Sequence, residues 1–308
     1  MQLAVDAVSG LLIFVNRLLI VDGHAYAYRA FYAIRELRSP SGQPTNAIYG
    51  FVKMLGKMRA TVKPTHWVVV WDGGLSADRM AALPEYKAQR PEMPDDLRPQ
   101  FDEIVGYLKA ARIESFRRDG VEADDYIACL ARHATAAGMS VVIASSDKDF
   151  MQLVSPQVGL LNPNDKSETI WADEQVRAKT GVGPGQIVDW LALMGDTVDN
   201  IPGVPGVGPK TAADLLNRFG SVDALLGCLA EVKQEKLQVS LRASVAAVQR
   251  NLKLVRLQAD LSCDFAPDKL VEKPADAGQL GELFRHWGFK GMLEDLRAAP
   301  EMRQAVLI

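Results

Sequence analysis

Nine acidic residues of this chain stand singly or in tight clusters, and together they could bind metal ions. They are Asp22, Asp72, Glu122, Asp124, Asp125, Asp147, Asp149, Asp196 and Asp199. Carboxylates that meet at one site repel one another and raise one another's pKa unless cations intervene. All-oxygen ligands favour Mg²⁺, with Mn²⁺ as a substitute, and two such ions can hydrolyse a phosphodiester. The pattern predicts a two-metal phosphodiesterase site, in which some acids act through metal-bound water.

Three apolar runs lead directly into acids of this set. They cover residues 18–22, 67–72 and 141–147. Their continuous apolar character is typical of strands that are covered on both faces, as in a parallel sheet flanked by helices. In open α/β sheets the ligand site lies beyond the carboxyl ends of the strands. A single aspartate at such a place is more often a helix N-cap, but three in succession favour a common site.

Helical spacing of apolar residues separates these strands and continues beyond them. We expect an α/β region up to the glycine-rich segment 181–185, followed by a mainly helical region in which residues 196–209 form a loop. The predicted helices cover residues 46–61, 95–111, 123–137, 186–195, 210–219, 240–257 and 280–296.

The overall charge conceals a basic surface. The chain has 38 acidic and 35 basic residues, a net charge of −3, which by itself argues against nucleic-acid binding. If nine acids face metal ions, 29 remain against the 35 basic residues, a balance of about +6. We therefore expect a surface that can hold DNA.

The cysteines and histidines predict no further site. Without a CxxC pair, three separated cysteines exclude a disulfide framework and a zinc ribbon and fit a reducing cytoplasm, and the four histidines show no metal-ligand spacing. These residues are Cys129, Cys228, Cys263, His24, His66, His133 and His286. Asn16 and Arg17 interrupt the first apolar run, so no membrane span is expected there.

Seven motifs, in order along the chain, resemble those of the bacterial 5′ nuclease family, which includes the 5′-3′ exonuclease domain of DNA polymerase I and the flap endonucleases. They read LLIVDG, TNAIYGF, PTHWVVVWD, PEYKAQRPEMPDDL, GVEADD, SDKDF and LALMGDTVDNIPGVPGVGPKTA. The resemblance implies a PIN-like (resolvase-like) core, whose mainly parallel sheet is flanked by helices, and a helix-three-turn-helix (helix-hairpin-helix) C-terminal domain. It also sorts the nine acids into two metal clusters, the first running from Asp22 to Asp125 and the second from Asp147 to Asp199.

The resemblance also implies a division of the chain. We expect an N-terminal extension over 1–17, a nuclease core over 18–182 with a helical arch at about 73–101, a helix-hairpin-helix domain over 183–296 and a tail over 297–308.

Basic residues of the arch match family positions that face the scissile phosphate. Lys87 is the candidate for stabilising the transition state, assisted by Arg90, and Arg79 matches a further phosphate contact, although its surroundings depart from the family pattern. Tyr86 and Arg29 are expected to contact DNA. In the hairpin, glycines let backbone amides approach a phosphate beside a helix N-terminus. The residues expected to bind DNA there are Gly203, Gly206, Gly208, Lys210 and Thr211, and the resemblance implies a K⁺ ion at the same loop.

The function implied is 5′-3′ exonuclease and 5′-flap endonuclease action in DNA replication and repair. The substrates would be DNA with 5′ ends, nicks or 5′ flaps, including RNA primers in hybrids. We expect a monomer in the bacterial cytoplasm, at the nucleoid, with a DNA polymerase as partner.

Three other functions fit parts of the sequence. A haloacid-dehalogenase-like phosphatase would use Asp22 as nucleophile, but it needs a second acid where His24 stands. A non-catalytic scaffold for branched DNA needs only the hairpin and the arch, and it would be expected to have lost several acids. An RNA-cleaving PIN toxin would be much shorter and would lack the hairpin.

Overall fold

The computed structural model describes residues 3–5, 12–14, 16–165 and 167–305, with side chains described over 16–165 and 167–298. The strands are β1 (Leu3–Val5), β2 (Leu12–Phe14), β3 (Arg17–Asp22), β4 (His66–Trp71), β5 (Glu114–Arg117), β6 (Ser140–Ala144), β7 (Val158–Leu161), β8 (Ile170–Trp171), β9 (Gly195–Asp196) and β10 (Ile201–Pro202). The helices are α1 (Gly23–Ala33), α2 (Asn46–Val62), α3 (Ala77–Ala82), α4 (Arg98–Ala110), α5 (Ala123–Ala136), α6 (Asp173–Thr180), α7 (Ile187–Met194), α8 (Pro209–Phe219), α9 (Val222–Gly227), α10 (Glu235–Ala243), α11 (Val245–Val255), α12 (Pro267–Leu270), α13 (Ala277–Trp287) and α14 (Lys290–Ala305).

The described residues belong to two compact units, each built from separate stretches of chain. Unit 1 draws on Met1–Trp71, Met93–Arg117 and Ala266–Ile308, and unit 2 on Asp72–Glu92 and Arg118–Phe265. Each unit therefore combines residues from both sides of the predicted division at 182 and 183. That division stays a prediction.

Unit 1 has three parallel strands, with β4 between β3 and β5. Leu18 of β3 lies opposite His66 of β4, and all six residues of β4 are buried. Helices α1 and α2 pack against each other, and Asn46 at the start of α2 donates to the carbonyl oxygens of Phe31 and Ile34. The first two apolar runs are thus parallel strands, as predicted.

Unit 2 holds the third apolar run as β6, which pairs with β7 in parallel, while β8 pairs with β7 antiparallel. Helix α5 packs against β6, and α7 packs against both α8 and α11. Parallel strands with flanking helices, followed by a helical region, confirm the predicted fold class.

Two predicted helices are each divided in two. The segment 240–257 is broken at Ser244, where α10 ends and α11 begins. The segment 280–296 is interrupted by Gly288, whose φ of +77° ends α13. The amides of Gly288 and Phe289 donate there to Arg285 and Phe284, which closes the helix with a left-handed cap.

The predicted arch is less helical than expected. Within residues 73–97 the structure has a single helix, the six-residue α3, followed by turns. Pro84, Pro91 and Pro94 fall in these turns, where each removes an amide donor and disfavours helix in the preceding residue. Helix α4 accordingly begins at Arg98, three residues after the predicted start.

Both chain ends differ from simple extensions. In the predicted extension 1–17, β1 and β2 form an antiparallel pair, and residues 1–2, 6–11 and 15 lie outside the described residues. In the predicted tail 297–308, α14 continues to Ala305, and residues 306–308 lie outside the description. Within the described chain, no helix combines the length and apolar character needed to cross a membrane.

The expectation that no histidine has metal-ligand spacing is wrong for His133. It stands four residues after Cys129 on α5, and potential ligand atoms of Cys129, His133 and Cys263 lie within 4.8 Å of one another. The C-x-x-x-H spacing on a helix was the available signal, since residues four apart share a face.

Candidate active site

The N-terminal end of α5 carries two buried acids. Glu122 is the N-cap residue, and Asp124 and Asp125 stand in the first turn. Acids suit this position because the unpaired amides and the helix dipole favour negative charge. Glu122 and Asp125 are only 1% and 2% exposed, however, so each charge needs a partner inside the protein.

Arg79 is the partner of Asp125. Its Nη1 and Nη2 donate to the two carboxylate oxygens of Asp125 at 2.6 and 2.8 Å. Its Nε donates to the Leu254 carbonyl at 2.9 Å, Nη2 also to the Arg256 carbonyl at 3.1 Å, and Nη1 lies 3.2 Å from Oε1 of Glu122. The guanidinium is 3% exposed and fully engaged inside unit 2. This geometry differs from the expected phosphate contact, because a phosphate would have to displace a buried ion pair.

Lys87 and Tyr86 surround the other buried acid, Glu122. The Lys87 ammonium donates to Oε2 of Glu122 and lies 3.7 Å from Oδ2 of Asp199. The Tyr86 hydroxyl donates to the same Oε2 at 3.0 Å. Burial alone would raise the pKa of Glu122, but the Lys87 and Arg79 cations outweigh burial and lower that pKa. Glu122 is therefore ionised and paired at neutral pH.

The turn that carries Lys87 is tied to the loop that carries Asp199. The Lys87 amide donates to the Asp199 carbonyl at 3.0 Å, and Nδ2 of Asn200 donates to the Glu85 carbonyl at 2.8 Å. Lys87 and Asn200 have φ values of +55° and +57°, which non-glycine residues rarely adopt. Arg90 adds an ion pair of 2.9 Å to Oδ1 of Asp199. These contacts bring the predicted catalytic cations to the predicted metal ligands.

Three buried aspartates form a tight cluster in unit 2. Carboxylate oxygens of Asp149, Asp196 and Asp199 lie within 4.8 Å of one another, and the residues are 8%, 6% and 8% exposed. Two ionised carboxylates at that distance repel by about 3 kcal/mol at an intermediate dielectric. Burial, followed by the neighbouring carboxylates, raises the pKa of Asp149 well above its ordinary value. The three carboxylates can therefore all be ionised only if positive charge is bound close to them.

A hard divalent cation fits this cluster. The donors are all oxygen, as Mg²⁺ prefers, and Oδ1 of Asp149 is buried without a hydrogen-bond partner among the described residues. Asp147 lies two residues before Asp149, and Oδ1 of Asp147 accepts a hydrogen bond of 2.9 Å from the backbone amide of Asp149. Lys148 lies 2.9 Å from Oδ1 of Asp196. The sequence analysis missed Lys148, although its position between two predicted ligands was the available signal.

Two further predicted ligands belong to unit 2. Oδ1 of Asp72 accepts the amide of Gly74 at 3.0 Å. Burial by itself would lower the pKa of Lys87, but the neighbouring carboxylates outweigh burial, and the pKa is raised. Among these carboxylates Asp124 makes the largest contribution. Asp124 also contributes to the raised pKa of Asp149. Asp124 thus interacts electrostatically with both Lys87 and Asp149.

Two predicted residues belong to unit 1. Asp22 ends β3 and caps α1, with its Oδ1 accepting the Ala25 amide at 3.1 Å. The N-cap alternative for a single aspartate thus holds at this position. Arg29 is exposed on α1. The metal-binding role of Asp22 and the DNA-binding role of Arg29 stay predictions.

The hairpin between α7 and α8 contains two glycines, Gly195 and Gly203, that are needed for packing. A Cβ atom on Gly203 would collide with the backbone of Met194 and Gly195, and Gly195 itself has a φ of +75°. This close approach accompanies the β9–β10 pairing, in which Ile201 lies opposite Asp196. Gly203 therefore helps to position a member of the aspartate cluster, a role different from the expected DNA contact.

The other predicted hairpin residues lie together at the start of α8. Gly206 has a φ of +83°, and Gly208 is the N-cap of α8, with Lys210 exposed and Thr211 half-buried in its first turn. A neighbouring cavity of about 480 Å³ is also lined by the basic residues Arg218, Lys233 and Lys236, which the sequence analysis missed. These three basic residues have no regular spacing in the sequence, so no sequence signal marked them as a group.

Family models match nearly the whole described chain. Residues 17–181 match the 5′-3′ exonuclease N-terminal resolvase-like domain, and residues 182–278 match the 5′-3′ exonuclease C-terminal SAM fold. Neither the phosphatase nor the toxin alternative accounts for the match of residues 182–278 to the C-terminal domain.

Individual relatives agree with these matches. A 5′-3′ exonuclease of Aquifex aeolicus is 39% identical over 92% of this chain and 96% of its own length. DNA polymerase I of Bacillus caldotenax is 39% identical over 92% of this chain, which spans about a third (32%) of that protein. The bacteriophage T5 D15 flap endonuclease, in a structure with DNA and metal ions, has a TM-score of 0.65 and 26% identity, covering 79% of this chain and 90% of its own. The chain therefore belongs to the 5′-3′ exonuclease family.

Proposed function

We propose that this chain is a divalent-metal-dependent hydrolase that cleaves DNA from 5′ ends and at 5′ flaps. The observation that carries the proposal is the cluster of Asp149, Asp196 and Asp199, three buried carboxylates with one unpartnered oxygen beside the cations Lys87 and Arg90. A purely structural cluster of this kind would destabilise the fold without providing any function.

The acids would hold Mg²⁺ ions, with Mn²⁺ as a substitute. Asp147, Asp149, Asp196 and Asp199 form one group, and Glu122 and Asp124 interact with Lys87. When bound, the metal would lower the pKa of a water molecule and offset charge on the scissile phosphate. Asp125 has both oxygens occupied by Arg79, so we assign it to positioning the start of α5.

Lys87 and Arg90 would stabilise the negative charge that develops on the phosphate. Lys87 is held in place at its backbone by Asp199 and at its ammonium by Glu122, which limits its motion before the substrate arrives. Pre-organised cations of this kind contribute most where water is excluded. Tyr86 is buried against Glu122, so we assign it to holding this arrangement and not to a direct DNA contact.

The hairpin would hold the duplex part of the substrate. The α8 N-terminus offers backbone amides and the ammonium of Lys210 to a phosphate, and the basic cavity beside it extends the positive surface. Such contacts recognise the DNA backbone and not its sequence. K⁺ binding at this loop is part of the proposal.

The relatives indicate a setting in replication and repair. Some of them are DNA polymerase I, so we propose that this chain removes primers and flaps, including RNA in hybrids, beside a polymerase. In this setting it would act as a monomer in the bacterial cytoplasm.

The test compares 5′-labelled single-stranded, nicked, blunt and flapped DNA under single-turnover conditions with Mg²⁺ or Mn²⁺. We expect short labelled products from flapped and nicked substrates, and none with Asp199→Asn, which keeps the side-chain shape. Lys179→Gln, on the exposed face of α6, serves as the control.

The competing function is a non-catalytic scaffold for branched DNA. Pure protein that binds flaps tightly but cleaves none of the substrates with either metal would support the scaffold and overturn the proposal. Equal cleavage by the wild type and Asp199→Asn would show that the site lies elsewhere.

A further inference from the structure

A second cluster of potential metal ligands lies on α5, separate from the carboxylates. Cys129 and His133 stand one turn apart on α5, and Cys263 lies in the segment that follows α11. One ligand atom from each lies within 4.8 Å of the other two. Cys129 is fully buried, whereas His133 and Cys263 are half-buried.

The segment after α11 runs along one face of α5. Asp125, Cys129 and His133 are spaced by four residues and so share that face. The Gln258 amide donates to Oδ1 of Asp125 at 2.8 Å, and Sγ of Cys129 donates to the Leu261 carbonyl at 2.9 Å. Successive positions of the segment thus meet successive turns of the helix.

We propose that Cys129, His133 and Cys263 bind a Zn²⁺ ion that holds this segment on α5. Two thiolates and an imidazole are ligands that Zn²⁺ prefers, and they differ from the hard oxygen donors of the aspartate cluster. Tetrahedral coordination at bond lengths of about 2.3 Å for sulfur and 2.1 Å for nitrogen places ligand atoms about 3.5–3.8 Å apart. Because the ligand atoms already lie within 4.8 Å of one another, the side chains need to approach by no more than about 1 Å to reach that spacing.

The cysteine pair is less suited to reversible disulfide chemistry. Burial, followed by the interaction with Cys263, raises the pKa of the Cys129 thiol to about 12. The Cys129 side chain is also fully buried and its thiol donates to the Leu261 carbonyl, so access for disulfide exchange with thiols in solvent is hindered. A divalent cation supplies the charge that favours deprotonation of a coordinating thiol.

The proposed ion would support the carboxylates at the start of α5. The segment that it holds begins with Arg256, whose carbonyl accepts from Arg79, as does the carbonyl of Leu254 in the last turn of α11, and Arg79 in turn pairs with Asp125. Fixing the segment at Cys263 would limit the ways in which it can leave α5. The zinc would be a positioning ion, and DNA cleavage does not pass through it.

The test uses Co²⁺ as a spectroscopic probe in the intact, reduced protein. A carboxylate cluster can also bind Zn²⁺ or Co²⁺, so the readout is the sulfur-to-cobalt charge-transfer band, which requires thiolate ligands. The titration is run in excess Mg²⁺ to saturate the carboxylates. Zn²⁺ should abolish the band by displacing Co²⁺.

Three variants and one control examine the ligands. Cys263→Ser should abolish most of the band, Cys129→Ser should reduce it similarly, and His133→Ala should weaken Co²⁺ binding at least about tenfold. Cys228→Ser changes the exposed cysteine outside the cluster and should leave the band intact. Because Cys129 is buried, Cys263→Ser and His133→Ala keep the test decisive if Cys129→Ser fails to fold.

Two outcomes would overturn the proposal. One is a reduced wild-type protein that gives no thiolate band, and the other is a band and a Co²⁺ affinity that stay at the wild-type level in Cys263→Ser and His133→Ala. Asp149→Asn should leave the band unchanged while reducing Mg²⁺ binding. Loss of the band in this variant would show that thiolate-bound Co²⁺ depends on the carboxylate cluster, and a separate zinc site would be rejected without affecting the proposed nuclease function.

Discussion

The backbone amide of Lys87 donates to the carbonyl oxygen of Asp199 at 3.0 Å, and the ammonium of Lys87 lies 3.7 Å from Oδ2 of the same residue. One residue of the arch is thereby held at two points by one residue of the acidic loop. The left-handed backbone of Lys87 costs about 1–2 kcal/mol, and the hydrogen bond to Asp199 helps to offset this cost. The position of the cation therefore depends on the loop that carries the metal ligands.

Replacing Lys87 should affect the rate more than DNA affinity. Lys87→Met keeps the side-chain length but removes the charge, and we expect the single-turnover cleavage rate to fall about 100-fold. Flap affinity measured without turnover should change much less, since the group acts mainly on the transition state. An unchanged rate, with the exposed Lys179→Met as control, would exclude Lys87 from the reaction.

Stability should depend on pH and Mg²⁺ through Asp149, whose pKa is raised by burial and then by neighbouring carboxylates. A carboxyl with a raised folded-state pKa stabilises the fold most below its unfolded pKa, about 4, and this contribution is lost as pH rises through the raised value. Mg²⁺ offsets the loss, so it should raise the Tm more at about pH 7.5 than at about pH 5. Thermal melts measure the difference.

Asp149→Asn is the matched variant for this effect. It removes the titrating group, so the Mg²⁺-induced rise in Tm should shrink at about pH 7.5 and depend less on pH. Asp173→Asn, on the exposed start of α6, should behave as wild type. The same pH dependence in Asp149→Asn and wild type would contradict the assignment.

The ion pair of Arg79 and Asp125 should contribute more to the free energy of unfolding than to DNA affinity. Arg79→Met leaves a buried carboxylate without its main partner, which should lower the free energy of unfolding by about 3–5 kcal/mol. Arg79→Met combined with Asp125→Leu should lose less than the two single losses together. Urea unfolding of the four proteins measures the coupling, and strictly additive losses would argue against a buried ion pair.

Two hairpin glycines should respond differently to alanine. Gly203→Ala forces a Cβ atom against the Met194–Gly195 backbone, so we expect a loss of about 1–3 kcal/mol and weaker cleavage through displacement of Asp196. At Gly208 the added Cβ meets nothing within 4 Å, so Gly208→Ala should cost less, about 0.5–1 kcal/mol, from the weaker N-cap alone. Equal Tm values for the two variants would refute the packing role of Gly203.

The basic cavity beside α8 should contribute to the salt dependence of DNA binding. Replacing both Lys233 and Lys236 by Gln should weaken binding to duplexes of any sequence and reduce the slope of log K against log salt by about 2. Lys233→Gln and Lys236→Gln are also measured as single variants. Lys179→Gln, which likewise removes one charge, is their charge-matched control. A slope that does not change would show that the cavity does not contact phosphate.

Local chemistry in the sequence predicted three of the described strands, β3, β4 and β6, most of the helices and the set of acids. Continuous apolar runs of this length are typical of buried strands, and the acids after them could be found because a strand ends where its apolar character ends. The hairpin was equally visible, since its closely spaced glycines and prolines interrupt the helical pattern on either side. All of this depends on neighbours within a few residues.

Only the tertiary structure decided which of these groups meet. Arg79 pairs with Asp125, Lys87 with Asp199, and Cys129 with Cys263, across separations of 46 to 134 residues. Periodicity contains no information on such pairs, because burial and packing select them after the elements have formed. The sequence therefore determined the types of group available, and the folded chain decided which carboxylates can hold a metal ion and which are already paired with a buried cation.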